Sequence, residues 1–566
     1  MEEDKNIPRE EAMYISRKCW YKFKKVSSLG LLTPFIVCLA SGNLKIGTFM
    51  NFIAQDPYYQ KAFAKAYEAA EKCTDDDDAK LALREMRMIS IREFKMEDAF
   101  LKEWDAHIGD KCTLNPRTVK LTEFLKATAS GRIEGVNPAT FETPFERTKL
   151  PAYILGAMIP CLRLYAYLGK ELLMFLQGNT THLYKTTIRA YASESLEELV
   201  KKNENLLDKL SITLTGNELS IIEKLYHQAM KIELGFLLAQ PLDQKSVIPI
   251  SREHNLDEER LVIFFKFDLT CTVIDSSAIL AEMTIVSAPK SGEDQPENQL
   301  VRLLSDDLKS TWDDICKDYT DEYEQCIDTL LLTFEKAEKL DYERLHKALE
   351  QLSDFEKRAN TRVSESGVLR GLKLEDIKRA GELMIIQDGC KNFFQSIIKN
   401  EQLNADIHVL SCCWCSDLIR SAFSSGGLDV VNVHANELIF EENVSTGVIV
   451  KKVECPFDKV QTFSKVLNNY SNDKKNLIVH IGDTMSDLLC LLQADIGIVF
   501  NPSPSLMRVG NHFGVSFIPL YRGIVEKQKT FTEKDSTSWN RLSGVLYTVS
   551  SWAEIHMFIL GSLYTD

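Results

Sequence analysis

Four sets of polar residues in the C-terminal half have the side-chain types that phosphoryl transfer requires. Asp268 ends an apolar run, Ser411 follows a second run, and Asp483 with Asp487 follows a third. Lys459 adds a cation near the predicted start of a helix. Phosphoryl transfer needs a carboxylate nucleophile, hydroxyl and ammonium donors for the phosphoryl oxygens, and acidic groups that hold Mg²⁺. Each residue alone could be a helix cap, an acidic turn or a solvated side chain, but the four sets together indicate this chemistry.

A parallel sheet would bring these residues to one edge. The runs "LVIFFKF", "DIHVLS", "NLIVHIGD" and "DIGIVF" are short, apolar and bounded by polar residues, and helical segments lie between them. This pattern predicts a doubly wound α/β domain, in which ligands bind beyond the carboxyl ends of the strands. We assign residues 259–275 and 400–566 to its core, and residues 276–399 to an inserted helical cap over that edge.

In their order along the chain, the four sets resemble the motifs of the haloacid dehalogenase superfamily, over about residues 260–525. The resemblance implies that Asp268 attacks phosphorus to form an aspartyl phosphate, which water then hydrolyses. It also implies that Ser411 binds the phosphoryl group and that Lys459 is the lysine of the third motif. The implied ligands of Mg²⁺ are Asp268, the Thr270 carbonyl, Asp483 and Asp487.

Thr270 departs from the usual pattern of that superfamily. Its phosphatases usually have an aspartate two residues after the nucleophile, where it protonates the leaving alkoxide. A threonine hydroxyl can only donate a hydrogen bond or relay a proton near neutral pH. P-type ATPases also have threonine here, and their phosphorylated intermediate is long-lived. We therefore expect slow chemistry at Asp268, helped by a relay through Thr270 or by an acid from the cap, and a faster rate in Thr270→Asp.

The N-terminal half is predicted to be helical over residues 10–238, and residues 239–258, rich in Pro and polar residues, form a predicted linker. Glu233 lies on the same helical face as Met230 and Leu237. A carboxylate on such a face is costly unless it is paired or protonated. Glu233 is therefore either half of a buried structural pair or a general acid or base with a raised pKa.

Further polar residues of this half also lie on apolar faces. Asp56 shares a face with Tyr59, and because Pro57 follows it, Asp56 fits an N-cap that could also face a cavity. Cys161 shares a face with Tyr165, although most such cysteines are inert core residues. Tyrosines, a thiol and two carboxylates on inward faces predict a pocket for a flat, polar, aromatic ligand.

The helical half resembles the TenA family, also called thiaminase II, over about residues 15–240. The segments "FIAQDPYY", "PCLRLY" and "YKTTIRAYAS" carry the resemblance. It implies hydrolysis of aminopyrimidine derivatives related to thiamine, with Cys161 as the nucleophile and Glu233 as the catalytic glutamate. The residues implied to bind the pyrimidine or to flank the thiol are Asp56, Tyr59, Tyr165 and Tyr191, with Tyr184 as an alternative to Tyr191.

The two resemblances follow one another along the chain, and the whole chain fits the organisation of a plant family of bifunctional thiamine-metabolism proteins. They imply thiamine monophosphate and aminopyrimidines as substrates, Mg²⁺ as the cofactor and a homo-oligomer formed through the helical domain. Two alternatives stay open from the residues. The phosphatase could act on small metabolites in general, and the helical half could be a pyrimidine-binding or assembly module without catalysis.

The composition indicates which classes of partner and which cellular compartment to expect. The 566 residues, with 67 basic and 82 acidic side chains and a net charge of −15, favour a multidomain globular protein and argue against nucleic acid or an anionic membrane as a partner. The most apolar segment is interrupted by Pro160 and Arg163, so we expect no membrane span. The acidic N-terminus predicts a cytoplasmic protein, and a longer isoform addressed to an organelle, such as the mitochondrion, stays open.

Overall fold

The computed structural model describes residues 14–108, 114–177, 181–253, 258–288, 304–428, 431–470, 474–531 and 539–561. These residues form two compact units. The first unit contains residues 14–249, 524–531 and Gly561, and the second contains residues 250–523 and 539–560, with the gaps given above. The units divide after Pro249, which lies within the predicted linker 239–258. The assignment of residues 524–531 and Gly561 to the phosphatase core is wrong, because they pack with the helical unit.

The first unit is helical in its described residues. Its helices are α1 Ile15–Leu31, α2 Pro34–Ser41, α3 Ile46–Ile53, α4 Asp56–Cys73, α5 Asp77–Ile108, α6 Pro116–Ala129, α7 Pro144–Arg147, α8 Leu150–Leu172, α9 Lys185–Tyr191, α10 Glu194–Ser211 and α11 Gly216–Leu238. Several begin at a side-chain cap, and the cap of α11 is a capping box formed by Thr215 and Glu218. Such caps satisfy backbone N–H groups that have no partner within the helix, so they fix where each helix starts.

Helix α8 is the central element of this unit. Every residue from Leu150 to Cys161 is buried, and helices α4, α10 and α11 pack against it. The apolar stretch Pro144–Leu176 is long enough to cross a membrane by length and composition, but 78% of its apolar window is buried inside the protein. Pro160 lies inside α8. The stretch therefore serves as the core helix of the first unit.

The second unit alternates strands and helices. Its strands are β1 Glu259–Phe265, β2 Arg370–Lys373, β3 Ala405–Leu410, β4 Asn432–His434, β5 Glu437–Glu441, β6 Val444–Val450, β7 Lys475–Gly482, β8 Ile496–Phe500, β9 Ser516–Pro519 and β10 Val545–Val549. Its helices are α12 Ser276–Ser287, α13 Ser305–Thr333, α14 Tyr342–Ser366, α15 Leu374–Glu382, α16 Cys390–Lys399, α17 Ser416–Ser424, α18 Pro456–Asn468, α19 Leu488–Gln493, α20 Pro504–His512, α21 Leu520–Thr530, which continues into the first unit, and α22 Trp552–Ile559.

Seven strands form one sheet, in the order β4-β3-β1-β7-β8-β10-β9, and every described pair in it is parallel. In this sheet Phe265 of β1 lies between Val409 of β3 and Ile481 of β7. Asp268, Ser411 and Asp483 follow these three positions within three residues, so the register brings them to the same carboxyl edge. The predicted doubly wound α/β fold is confirmed.

The segment between β1 and β3 is only partly a helical cap. Strand β2, from the predicted cap 276–399, pairs with β6, which pairs with β5, and the three form a separate antiparallel sheet. Helix α16 belongs to the core, because Phe394 packs 4.4 Å from Phe265 and Phe393 packs 5.4 Å from Trp552, measured between ring centroids. The inserted cap is therefore helical in α12 to α15, as predicted, but it also contributes β2, and its helical part ends before α16 and not at residue 399. The sequence "RGLK" of β2 has too few apolar residues to predict a strand.

Candidate active sites

Asp268 lies at the carboxyl edge of the seven-stranded sheet, at the start of α12. One carboxylate oxygen accepts a hydrogen bond from the backbone N–H of Ser276 at 2.8 Å, and the other accepts one from the Ser411 hydroxyl at 3.4 Å. Leu269, the next residue, has a φ of 60°, which turns the chain sharply away from the strand. Burial, reinforced by the charge of Asp275, raises the pKa of Asp268 to about 6. The carboxylate is thus oriented by two donors and ionises near neutral pH.

Asp483 receives two donors from the segment that carries Asp268. The Lys266 ammonium lies 2.8 Å from Oδ1 of Asp483, and the Thr270 hydroxyl donates to the same oxygen at 2.7 Å. Burial opposes the charge of Lys266, but Asp483 and Asp487 hold its pKa above the usual value. Sequence analysis missed Lys266, although a lysine at the end of a buried strand is the signal that could have found it. These contacts join the end of β1 to the end of β7.

Asp487 is committed to interactions within the protein. The Lys459 ammonium lies 2.7 Å from its Oδ1, and both side chains are fully buried. Its Oδ2 accepts hydrogen bonds from the backbone N–H groups of Asp483 and Thr484, both at 3.2 Å. Burial opposes ionisation, yet Lys459 above all holds the pKa of Asp487 well below its usual range. Gly482 allows this approach, because a Cβ there would lie 2.5 Å from Cγ of Asp487.

Both polar groups of Thr270 also have partners. Its hydroxyl donates to Asp483, and its carbonyl accepts a hydrogen bond from Nε1 of Trp552 at 2.9 Å. The side chain is fully buried. The hydroxyl is therefore directed to Asp483, and Thr270 does not line the cavity; the relay through Thr270 stays a prediction.

The donor set fits a magnesium site with two direct carboxylates. Mg²⁺ is usually bound by one or two carboxylates, with substrate phosphate and water completing its coordination. Asp268 and Asp483 offer such carboxylates at the same sheet edge, and the contacts of Asp483 fall on Oδ1. Both oxygens of Asp487 already accept bonds within the protein, as does the Thr270 carbonyl. Within the described parts of the chain, no three His, Cys, Asp or Glu side chains converge to hold a metal without further ligands.

A cavity of about 520 Å³ contains the Asp268 site. Lys266, Asp268 and Thr484 line it from the sheet edge, and helices α13 and α14 contribute the opposite wall. Its aromatic lining consists of Trp312, Tyr319, Tyr323 and Trp414. Carboxylates of Asp275, Glu356 and Glu454 also line it. The cavity therefore combines groups that suit a phosphate with an aromatic and acidic surface that suits a larger organic group.

In the helical unit, Glu233 is fully buried beside Cys161 and Tyr165. Neither carboxylate oxygen has a hydrogen-bond partner among the described residues. Burial raises the pKa of Glu233 to about 7, and the neighbouring Cys161 and Tyr165 side chains lower it by less. Burial, together with the charge of Glu233, raises the pKa of the Cys161 thiol well above its usual value. The structure thus places a proton-accepting carboxylate beside a neutral thiol, in the interior of the unit.

Aromatic rings surround this pair. The ring of Tyr165 lies 5.1 Å from the ring of Tyr191, and Tyr59 lies 5.5 Å from Phe236. Gly169 of α8 makes room for Tyr191, because a Cβ there would collide with the Tyr191 backbone.

Two sequence predictions about this pocket are resolved by the structure. The Tyr184 hydroxyl donates to the Leu44 carbonyl, so Tyr191 and not Tyr184 is the tyrosine beside Tyr165. Asp56 is the first residue of α4, and Gln55 occupies the cap position, so the N-cap prediction for Asp56 is wrong by one residue. Asp56 still contributes to the pocket, since its charge raises the pKa values of Tyr59 and Cys161.

Comparison with known proteins identifies the family. Residues 33–244 match the model of the TENA/THI-4/PQQC family. The "Bifunctional TH2 protein, mitochondrial" of Arabidopsis thaliana is 56% identical over 562 residues, which cover 98% of this chain and 91% of that protein. This chain belongs to the family of that bifunctional TH2 protein.

Two solved structures each align with part of the chain. A TenA homologue from P. horikoshii OT3 is 20% identical and has a TM-score of 0.33, and the alignment covers 40% of this chain and 96% of that one. A substrate-bound phosphoserine phosphatase is 19% identical and has a TM-score of 0.29, with 45% of this chain and 91% of that one covered.

The prediction of a cytoplasmic location is wrong. The Arabidopsis relative is named as mitochondrial, and its high identity extends over nearly the whole chain. The prediction relied on the acidic composition of the first residues. Targeting segments are read by import machinery and are removed or excluded from the fold, so the composition of a folded chain does not determine the compartment.

Thr270→Asp is expected to slow phosphoryl transfer and to destabilise the protein, contrary to the expectation from sequence. The new carboxylate would be buried against Oδ1 of Asp483, where the Thr270 hydroxyl now donates. Breaking a buried charged network costs about 3 kcal/mol or more. Thermal unfolding and single-turnover quench-flow with a labelled phosphate ester would measure both effects. Thr270→Ser, which keeps the hydroxyl, is the control, and a faster, equally stable Thr270→Asp would contradict this interpretation.

Glu233→Gln is expected to stabilise the protein increasingly as the pH rises. Because the folded state raises the pKa of Glu233 from 4.5 to about 7, it binds the proton more tightly than the unfolded state. The free energy of unfolding of wild type therefore falls as the pH rises from about 4.5 to about 7, whereas the neutral amide of the variant causes no such fall. The difference in the free energy of unfolding should grow toward at most about 3 kcal/mol between pH values of about 5 and 8.

Urea unfolding of the full chain at several pH values tests this expectation. Glu85, which is exposed on α5 of the same unit, supplies the matched control. Its Gln variant should unfold like wild type at every pH. A Glu233→Gln difference that is independent of pH would show that the Glu233 carboxyl is equally ionised in the folded and unfolded states.

Proposed function

We propose that this chain is a bifunctional hydrolase of thiamine metabolism. Its α/β unit converts thiamine monophosphate to thiamine through an aspartyl phosphate, and its helical unit hydrolyses aminopyrimidine derivatives. The observation that carries the proposal is the convergence of Asp268, Ser411 and Asp483 at one sheet edge, where Asp268 lines a cavity with an aromatic wall. Membership of the bifunctional TH2 family and the match of the helical residues to the TENA/THI-4/PQQC family support the combination.

In the α/β unit, Asp268 is the nucleophile. Its oxygens are oriented by Ser276 and Ser411, so one carboxylate oxygen attacks phosphorus and the bond to the thiamine oxygen breaks. Lys266 lies at the same edge and provides positive charge close to the reacting phosphoryl group. Asp268 and Asp483 would hold Mg²⁺, which when bound supplies further positive charge to the phosphoryl oxygens. Water then hydrolyses the aspartyl phosphate and restores Asp268.

The lining of the cavity suits the organic half of thiamine monophosphate. Its thiazolium ring is cationic, and cations bind favourably to the faces of tryptophan and tyrosine rings. Trp312 and Trp414 meet edge to face at 6.3 Å, and Tyr319 and Tyr323 stack at 5.8 Å, which gives the cavity an extended aromatic wall. The uncharged sugar of a sugar phosphate would bind much less favourably to this wall.

In the helical unit, Glu233 and Cys161 act together. The Glu233 carboxylate accepts the proton of the Cys161 thiol, and the resulting thiolate adds to the pyrimidine. The amine then departs with the proton that Glu233 returns, water adds in its place, and the bond to Cys161 breaks to restore the thiol. A glutamate with a pKa of about 7 is well matched to accepting a proton and returning it to the leaving group near neutral pH. Tyr191 and Tyr165 provide ring faces for the flat pyrimidine, and Asp56 provides a carboxylate for its amino group.

The two activities should separate by mutation, because their residues lie in different units. Cys161→Ala should abolish hydrolysis of aminopyrimidine derivatives and leave phosphate release from thiamine monophosphate near wild type. Asp268→Asn should do the reverse. Product analysis with an aminomethylpyrimidine and a phosphate-release assay, with Mg²⁺ present or chelated, measure the two reactions.

The control for the thiol is Cys38→Ala, since Cys38 is an equally buried cysteine of the same unit. This variant should keep both activities. Loss of both activities in a folded Cys161→Ala or Asp268→Asn protein would contradict separate sites. Equal phosphate release from a panel of unrelated metabolites would contradict the preference for thiamine monophosphate.

A further inference from the structure

We infer that Glu356 is a catalytic residue of the α/β unit, and that it protonates the leaving oxygen of the phosphate ester and then activates the hydrolytic water. This assignment rests on the proposed phosphatase function. It names the group that replaces the carboxyl missing at position 270. Four observations carry it: the position of Glu356 in the cavity, its hydrogen bond to Tyr319, its charged neighbours and the commitment of Thr270 to other partners.

Glu356 lies on the inward face of α14. Leu349, Leu352 and Ala359, which recur with it at steps of three and four residues, are all buried. Glu356 and Ala359 line the cavity that contains Asp268, whereas Leu349 and Leu352 do not. Placing a carboxyl group on an apolar face costs free energy unless its environment compensates. Because Glu356 lies on the inward face of α14, exposure to bulk water does not explain its position.

One oxygen of Glu356 is held and the other is available. The Tyr319 hydroxyl of α13 donates to Oε1 at 3.0 Å, which fixes the orientation of the carboxyl group. Oε2 receives no hydrogen bond from any described residue. A carboxyl group fixed at one oxygen and open to the cavity at the other is arranged to exchange a proton with a bound ligand.

The surroundings of Glu356 suit a proton donor near neutral pH. Burial raises its pKa to about 7, and Tyr319, Lys459 and Lys266 lower it by less. The titratable groups that face it are Tyr319, Tyr323 and Cys326 of α13, Lys459 of α18, Lys266 after β1 and Cys412 after β3. The two lysines also interact with the acids Asp483 and Asp487 of the phosphoryl site, so Glu356 lies close to where the ester reacts.

Thr270 leaves this role vacant. Its hydroxyl donates to Asp483 and its carbonyl accepts from Trp552, so neither group faces a departing alkoxide as a proton donor. The oxygen of an alkyl alcohol is a poor leaving group as an anion, and a positioned acid contributes about 10²–10⁴-fold to such reactions.

The proposed steps balance as follows. An Asp268 oxygen forms a bond to phosphorus while the bond from phosphorus to the alcohol oxygen breaks, and the Glu356 proton moves to that oxygen. Thiamine leaves as the neutral alcohol. The Glu356 carboxylate then accepts a proton from the attacking water, whose oxygen bonds to phosphorus as the bond to Asp268 breaks. Inorganic phosphate leaves, and both carboxyl groups return to their starting states.

Glu356→Gln tests the inference with two esters in rapid-quench experiments on the full chain. Thiamine monophosphate releases an alkoxide that needs a proton, whereas 4-nitrophenyl phosphate releases a stable anion. Burst-phase release of thiamine should fall by about 10²-fold or more, and burst-phase release of 4-nitrophenol should stay within about threefold of wild type. In wild type, the thiamine burst should decline as the pH rises through about 7, and the nitrophenol burst should not decline in this way.

The matched control is Glu350→Gln, the same substitution at an exposed position of the same helix. It should leave both bursts unchanged. Equal loss with both esters, or no loss with either, would overturn the assignment of Glu356 as a proton donor. If wild type fails on thiamine monophosphate but hydrolyses another alkyl phosphate, the substrate proposal fails, and the same comparison on that ester still tests Glu356.

Discussion

The buried ion pair between Lys459 and Asp487 is the interaction on which the α/β site depends. Asp487 also accepts backbone hydrogen bonds from Asp483 and Thr484, so the ion pair fixes the turn that carries Asp483. Asp483 in turn receives Lys266 and Thr270 from the segment after β1. The position of Asp268 is therefore set by a chain of charged contacts that begins at Lys459. Removal of one partner from such a pair leaves an uncompensated buried charge, which is why these residues act as a unit.

The two proposed sites share one feature despite their different folds: each contains a glutamate whose pKa is raised by desolvation. Glu233 in the helical unit is fully buried and Glu356 in the α/β unit is half-buried, and for both the loss of solvent raises the pKa to about 7. Neither forms an ion pair at hydrogen-bonding distance among the described residues. Desolvation is thus the main cause that brings each glutamate to the pH at which it can donate or accept a proton, and neighbouring side chains offset part of it. The same desolvation destabilises the folded state at high pH, so each site combines a chemical benefit with a structural cost.

The sequence predicted the parts of this structure that local pattern determines. Apolar runs predicted the strands that end near Asp268, Ser411 and Asp483, because buried parallel strands require continuous apolar residues. It did not predict the roles of Trp552 and Lys266, since their contacts depend on tertiary packing between segments that are distant in the chain. The small antiparallel sheet was also missed, because its short strands carry no distinctive pattern.

The sequence does contain a signal for Glu356, although the sequence analysis did not use it. Leu345, Leu349, Leu352, Glu356, Ala359 and Val363 follow alternating steps of four and three, so Glu356 interrupts an apolar stripe as Glu233 does in α11. Glu233 was identified from the sequence and Glu356 was not, because recognisable motifs accompany α11, whereas α14 has only the amphipathic pattern of any packed helix. A buried carboxyl group in such a stripe has to be explained by its environment. Here the environment is the cavity of Asp268, and the two bonds of Thr270 explain why the proton donor comes from a separate segment of the chain and not from the nucleophile's own loop.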